Sequence, residues 1–273
     1  MTQEVRRVIV PLDAAAETGT AIDTAARLAA RWQVPLHGVF IEDEELIGLA
    51  GLPFARQVTL GVGPEPLTKD QVEDHFRAFA ERVRRELAEA ADRHAVTWSF
   101  ETLRGPLVPG AFGGEHDFVV TGAATRPIGD HFRVPSRCWS WMATLVRPFL
   151  LAKRAWDTGG SVFALLHRRC PESARALDIA AQIAGFHSGS LTVGGTPDLS
   201  AEGDFIEWVS ALLEGHSLSF QTEPADTEPA ALRQRLTELD CRLLVLEASV
   251  EDHRPKELRK LVEHLACDVL IIH

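Results

Sequence analysis

The chain has 273 residues, 45% of them hydrophobic and 25% charged: enough length for one large or two ordinary globular units, and too apolar for a disordered chain. With 28 Lys and Arg against 39 Asp and Glu, the formal net charge of -11 repels polyphosphate backbones and anionic lipid surfaces, so neither nucleic acid nor a membrane is expected as a partner. No apolar run reaches bilayer-spanning length and no signal-peptide core precedes the first strand-like stretch, so a cytoplasmic protein is expected.

RRVIVPLD (6–13) is the first strand-like run, AIDTAARLA (21–29) an amphipathic helix and PLHGVFIE (35–42) a second strand. Residues 42–67 then interrupt the alternation. Asp43, Glu44 and Glu45 suit the first turn of a short helix, where they meet its dipole. The rest of the insertion is apolar, with several Gly and Pro. It must pack on the sheet edge, on the other unit or on a second chain, and a lid over the first-half cleft is a further alternative. Thr68 and Gln71 form a capping box, after which Val72, Phe76, Phe79, Val83, Leu87 and Ala90 recur on one face of a long helix. VTWSFETL (96–103), HDFVVTGA (116–123) and PFLLA (148–152) complete five strands.

The second half repeats the first. After SVFALLH (161–167), ALDIAAQIA (176–184) matches AIDTAARLA position for position in residue type, and SLTVGG (190–195) follows it. DFIEWVSALLEG (204–215) reads as a helix, LSFQTE (218–223) as a strand and PAALRQRLTEL (229–239) as a helix. RLLVLEA (242–248), ELRKLVEHL (257–265) and DVLIIH (268–273) close the series. Two α/β units of similar order thus stand in tandem, 1–154 and 160–273, with the boundary near AWDTGG (155–160).

VIVPLD, the repeated A-[IL]-D-x-A-A helix, and DFVVTGA followed by a helix and PFLLA resemble the universal stress protein family in its tandem two-domain form, over essentially the whole chain. The resemblance implies a doubly wound five-stranded parallel sheet of order 3-2-1-4-5 in each unit, the two related by a pseudo-two-fold axis. It also implies either ATP binding or regulatory contacts without nucleotide. ATP-binding members carry, after the fourth strand, a Gly-rich loop of fixed spacing ending in Ser or Thr, and an adenine-facing Asp at the end of the first strand. Such a loop cradles phosphates with backbone N–H groups and a helix N-terminus. Here Asp13 matches the Asp, Gly122 the first glycine and Ser136 the hydroxyl, but Thr125 and Pro135 stand at the other two glycine positions. Asp13, Val39, Gly122, Thr125 and Ser136 are the first-half ligand residues that the resemblance implies. Thr resists a positive φ and Pro135 has no N–H, so ATP binding there is expected to be weak or absent, and no cofactor is expected.

The second half departs further: His167 or Arg168 replaces the Asp, Glu247 stands where the first glycine would be, and the connection to Pro255 is too short for the loop. A carboxylate at 247 repels a triphosphate. Around the altered first loop, Arg126, His131, Arg133 and Arg137 lie beside Phe132, Trp139 and Trp141. They read either as a site for another anion or an acidic partner, or as solvated charges around a helix capped by Ser136. The four cysteines Cys138, Cys170, Cys241 and Cys267 form no CxxC pair or zinc spacing and are expected to be idle reduced thiols. GxSxG, Walker A, HExxH and strand-borne GxGxxG motifs are lacking, and His167, His187 and His264 have no nucleophile or metal spacing, so neither a catalytic nor a metal site is expected. The expected function is a non-catalytic stress-response or regulatory module that meets a second copy or another protein. A nucleotide-binding switch in the first-half cleft is the alternative.

Overall fold

The computed structural model describes residues 5–12, 18–58, 63–105, 114, 116–123, 147–154, 156, 160–186, 189–247 and 262–272. The first half runs β1 (Arg7–Leu12), α1 (Gly19–Trp32), β2 (Leu36–Glu42), α2 (Glu44–Ala50), β3 (Arg56–Val58), β4 (Pro64–Pro66), α3 (Lys69–Arg93), β5 (Trp98–Arg104), β6 (Asp117–Gly122) and β7 (Phe149–Ala152). The second runs β8 (Ser161–Leu166), α4 (Pro171–Phe186), β9 (Leu191–Gly195), α5 (Pro197–Ser200), α6 (Phe205–Leu213), β10 (Phe220–Pro224), α7 (Pro229–Glu238), β11 (Cys241–Glu247) and β12 (Asp268–Ile272).

Ten of these strands form one sheet in the order β10-β9-β8-β11-β12-β7-β6-β1-β2-β5. Taken separately, each half has the order 3-2-1-4-5 among its own strands. Neighbours are parallel except where the halves meet. There β7 and β12 run antiparallel, pairing Phe149 with Ile271, Leu150 with Leu270 and Leu151 with Val269. The fifth strand of each half would otherwise be a bare apolar edge, and the pairing covers both edges at once. Central strands such as β1, β6 and β12 are buried along nearly their whole length, as parallel strands covered on both faces must be. The outermost strands β5 and β10 keep exposed polar positions.

The repeated helix explains its own composition. Ala21, Ala25, Ala26 and Ala29 on α1, and Ala176, Ala180, Ala181 and Ala184 on α4, are buried, and these small side chains bring each helix close to the sheet. The Asp of each copy lies beside a histidine. Asp23 lies 3.5 Å from His94 at the end of α3, and Asp178 lies 3.1 Å from His216 after α6. The two helices also meet each other. Trp32 Nε1 donates to Gln182 Oε1 at 2.7 Å, and the Trp32 ring stands edge-on to Phe118 and Phe186, with centroids 4.9 Å and 6.1 Å away.

A buried carboxylate secures the seam. Asp268, at the start of β12, accepts the backbone N–H of Lys153 at 2.7 Å and of Arg154 at 3.2 Å, and the indole N–H of Trp156. Three donors from the segment after β7 thus compensate a group whose burial pushes its pKa up.

The insertion differs in part from the sequence reading. The Asp43 side chain caps α2 as expected, accepting from the N–H groups of Glu45 and Leu46, and Thr68 with Gln71 forms the capping box of α3. All the apolar positions read on α3 are buried except Phe79, which is half-buried and stacks on Phe40. Between them lies an antiparallel pair of strands, β3 and β4, that periodicity does not reveal: three residues each, with Pro64 and Pro66 in the second. The helix α2 packs on α3 of its own half, and Ala50 is buried, but Leu46, Leu49, Leu52 and Phe54 remain exposed.

Candidate functional site

Doubly wound sheets hold ligands at the carboxyl ends of the strands where the strand order reverses, here β1 and β6 in the first half and β8 and β11 in the second. In the first half, Gly122 is buried at the end of β6 opposite Ala152, and the Ala123 N–H continues the ladder to the Ala152 carbonyl at 3.0 Å. Val39, in the middle of β2, pairs with Pro11 and Glu101 on its two sides and is buried in the apolar cluster that includes Ile9, Val119 and Phe149. Asp13, Thr125 and Ser136, and the Arg126, His131, Arg133 and Arg137 group, lie outside the described residues.

In the second half the described residues include the β8 side of the crevice and the end of β11. β8 ends at Leu166, and the chain turns through His167–Cys170 into α4. β11 lies alongside, Leu246 opposite Leu165, and ends at Glu247, whose side chain therefore points across the mouth of that turn. Its Oε1 accepts the backbone N–H of His167 at 2.8 Å and of Arg168 at 3.1 Å. Its Oε2 receives the Ser173 hydroxyl, which also lies 2.6 Å from the Arg168 carbonyl, and the Cys170 thiol stands 4.0 Å away. His167 Nδ1 is 3.8 Å from Oε1, close enough for an ion pair when the imidazole is protonated. Glu247 is only 8% exposed, so these contacts replace water rather than compete with it.

Successive N–H groups and a hydroxyl at the start of a helix form an anion cradle, and in this half the anion is the chain's own carboxylate. The sequence reading of Glu247 as a repulsive charge accounts for only part of its effect. Glu247 is also bonded to the His167 and Arg168 N–H groups at the mouth of the turn. Sequence reasoning misses Ser173 and Cys170. Their legible signal is a Glu at the end of a buried strand, where a polar terminus needs donors. The cluster brings together Cys170, Ser173, His167 and Glu247, but Ser173 is fully buried and its hydroxyl is engaged, so it does not face a substrate. Among the described residues no group of His, Cys, Asp and Glu is arranged to hold a metal ion, and no helix is long and apolar enough to cross a membrane.

No protein-family model and no curated protein matches the chain. Solved structures do. A universal stress protein from Archaeoglobus fulgidus DSM 4304 is 12% identical, with 99% of this chain and 97% of that chain covered and a TM-score of 0.68. A putative universal stress protein from Pseudomonas aeruginosa UCBPP-PA14 is 16% identical, with 99% and 94% covered and a TM-score of 0.61. A functionally unknown protein from Pseudomonas aeruginosa PAO1 matches at 16% identity over 99% and 93%, again with a TM-score of 0.61. Over almost its whole length the chain has the fold of the universal stress proteins.

Proposed function

We propose that the chain is a non-catalytic stress-response module that works in the cytoplasm through protein contacts, without nucleotide. One observation carries this reading: Glu247 fills the second-half cradle with a carboxylate bonded to the His167 and Arg168 N–H groups. The altered first-half loop supports it from the sequence, since Pro135 offers no N–H and Thr125 stands where a glycine would be. The free state of Cys170, Cys241 and Cys267 suits a reducing compartment. The exposed side chains of Leu46, Leu49, Leu52 and Phe54 supply an apolar surface for a second copy of the chain.

Gly122 favours a second reading. It ends β6 without a side chain, as a nucleotide switch in the first half would need, with Asp13 and Ser136 on either side in sequence. Mass spectrometry of small molecules released by denaturing freshly purified protein separates the two. The proposal expects no stoichiometric nucleotide; bound ATP or AMP selects the switch, and turnover of added ATP selects an enzyme.

A further inference from the structure

Cys241 opens β11, and Cys267 immediately precedes its neighbour β12. Regular pairing of the two strands begins at Leu243 and Asp268. Along β11, Leu243 and Val245 face the cluster under α1 and α4, while Leu244 and Leu246 face the opposite cluster, which also holds Cys267 and Val269. Strict alternation would put Cys241 on the face of Leu243, away from Cys267. A register shift between Cys241 and Leu243 intervenes. Such a bulge inserts one residue and re-aims the side chain before it, and Cys241 accordingly packs against the same cluster as Cys267. Neighbouring strands thus bring the two thiols to the same face and the same end of the sheet. Cys241 is half-buried and donates to the Leu243 carbonyl at 3.3 Å, whereas Cys267 is 4% exposed.

Lys153, just after β7, stands beside the pair. Its ammonium donates to the carbonyls of Val262 and Leu265, the latter at 2.8 Å, on the turn that brings Cys267 into β12. Burial draws the Lys153 pKa down to about 8, which still leaves it mostly protonated at neutral pH. The neighbouring Cys241 thiol, and then the Lys153 charge, hold the Cys267 thiol below the ordinary range against the opposing effect of burial. The neighbouring Cys267, with burial, raises Cys241. The Lys153 ammonium, held against the Leu265 carbonyl two residues before Cys267, favours Cys267 as the attacking thiolate and leaves Cys241 to resolve.

We propose that Cys241 and Cys267 are an oxidation site: a dithiol that hydrogen peroxide converts to a disulfide. The Cys267 thiolate attacks one peroxide oxygen, the O–O bond breaks, and the departing hydroxide takes up the proton that the thiol released, leaving a sulfenic acid and water. The Cys241 sulfur then attacks the Cys267 sulfur. The S–O bond breaks, and hydroxide leaves as water with the Cys241 proton. Two thiols and one peroxide give one disulfide and two waters, with the sulfur pair oxidised by two electrons and the peroxide reduced by two. The bond pins the start of β11 to the entrance of β12, the strand that joins the two halves. In a reducing compartment such a disulfide is transient and reports oxidant.

The test uses the full-length chain with Cys138→Ser and Cys170→Ser, leaving only the pair. It is treated with hydrogen peroxide, alkylated, digested and mapped without reductant. The site predicts that both thiols disappear together and that one peptide joins Cys241 to Cys267 until dithiothreitol separates it. With Cys241→Ser added, Cys267 accumulates as a dimedone-reactive sulfenic acid and no link forms. The same map on the unsubstituted chain guards against a folding defect in the variants. Thiols that stay free under excess peroxide, or that pass to sulfinate without the link, overturn the proposal.

Discussion

The carboxylate of Glu247 accepts the backbone N–H of His167 at 2.8 Å and that of Arg168 at 3.1 Å, joining the end of β11 to the turn that follows β8. Glu247→Ala leaves those two N–H donors without their acceptor in a buried place, while the Ser173 hydroxyl keeps the Arg168 carbonyl; the loss costs about 1–3 kcal/mol of folding stability. Glu247→Gln keeps an acceptor oxygen and should lose less. Urea unfolding of the three proteins measures the difference. An alanine variant as stable as the parent would mean that water satisfies the cradle.

A second carboxylate sets a pH dependence. Asp117, where β6 begins, is bonded to Arg7 Nη2 at 2.8 Å and receives the Gly114 N–H. Burial raises its pKa, but the Arg7 and Gly114 hydrogen bonds and the charges of Arg7 and Arg147 outweigh burial and hold it below 3.8. A depressed carboxylate stabilises the fold fully above its unfolded value and loses that contribution as pH falls through the lowered value. Asp117→Asn should therefore cost about 1–2 kcal/mol at neutral pH, discounted because Arg7 is partly exposed, and almost nothing in strong acid. Unfolding midpoints between neutral pH and the acid limit decide this. A constant gap would assign the effect to packing instead.

Trp32 couples the repeated helices. Trp32→Ala removes the Gln182 hydrogen bond and the edge contacts with Phe118 and Phe186, for a loss of about 2–4 kcal/mol. A double-mutant cycle with Gln182→Ala should give a non-additive remainder. Strict additivity would show that the hydrogen bond between the halves contributes nothing.

The sequence makes plain what depends on period and repetition: the strands, the two Ala-rich helices, the Thr68 cap and the buried face of α3. Their signals are local, spaced by the geometry of one helix or strand. Features that depend on distant partners stay hidden. Nothing near Asp23 or Asp178 in sequence announces His94 or His216, and a half-buried Cys241 follows only from a bulge. β3 and β4, with Pro64 and Pro66 in three-residue strands, carry no alternation to read. Glu247 is legible as a misplaced charge, but its donors come from residues about eighty positions earlier, so its role in closing the cradle is not. The seam lies between these cases: PFLLA and DVLIIH are each obvious strands, and only the need to cover two edges suggests that they pair.

The insertion provides a test of assembly. Phe54 is 74% exposed and Leu49 50%, far more than either gains by facing water. The proposal of a homodimer through this surface expects a dimer mass by light scattering and a monomer mass for Phe54→Asp combined with Leu49→Asp, with the unfolding midpoint little changed. A parent chain that is already monomeric removes the proposal.

Calorimetry with ATP bears most directly on the account of a cradle closed by its own carboxylate and a first loop short of donors. A hydrogen bond to a charged group contributes about 1.5–3 kcal/mol, so each donor lost at Pro135 or occupied at Glu247 costs roughly ten- to a hundredfold in affinity. The intact protein should bind ATP no better than high micromolar, and replacing Thr125 and Pro135 by glycine should tighten binding. Submicromolar ATP binding by the unaltered chain would contradict the account.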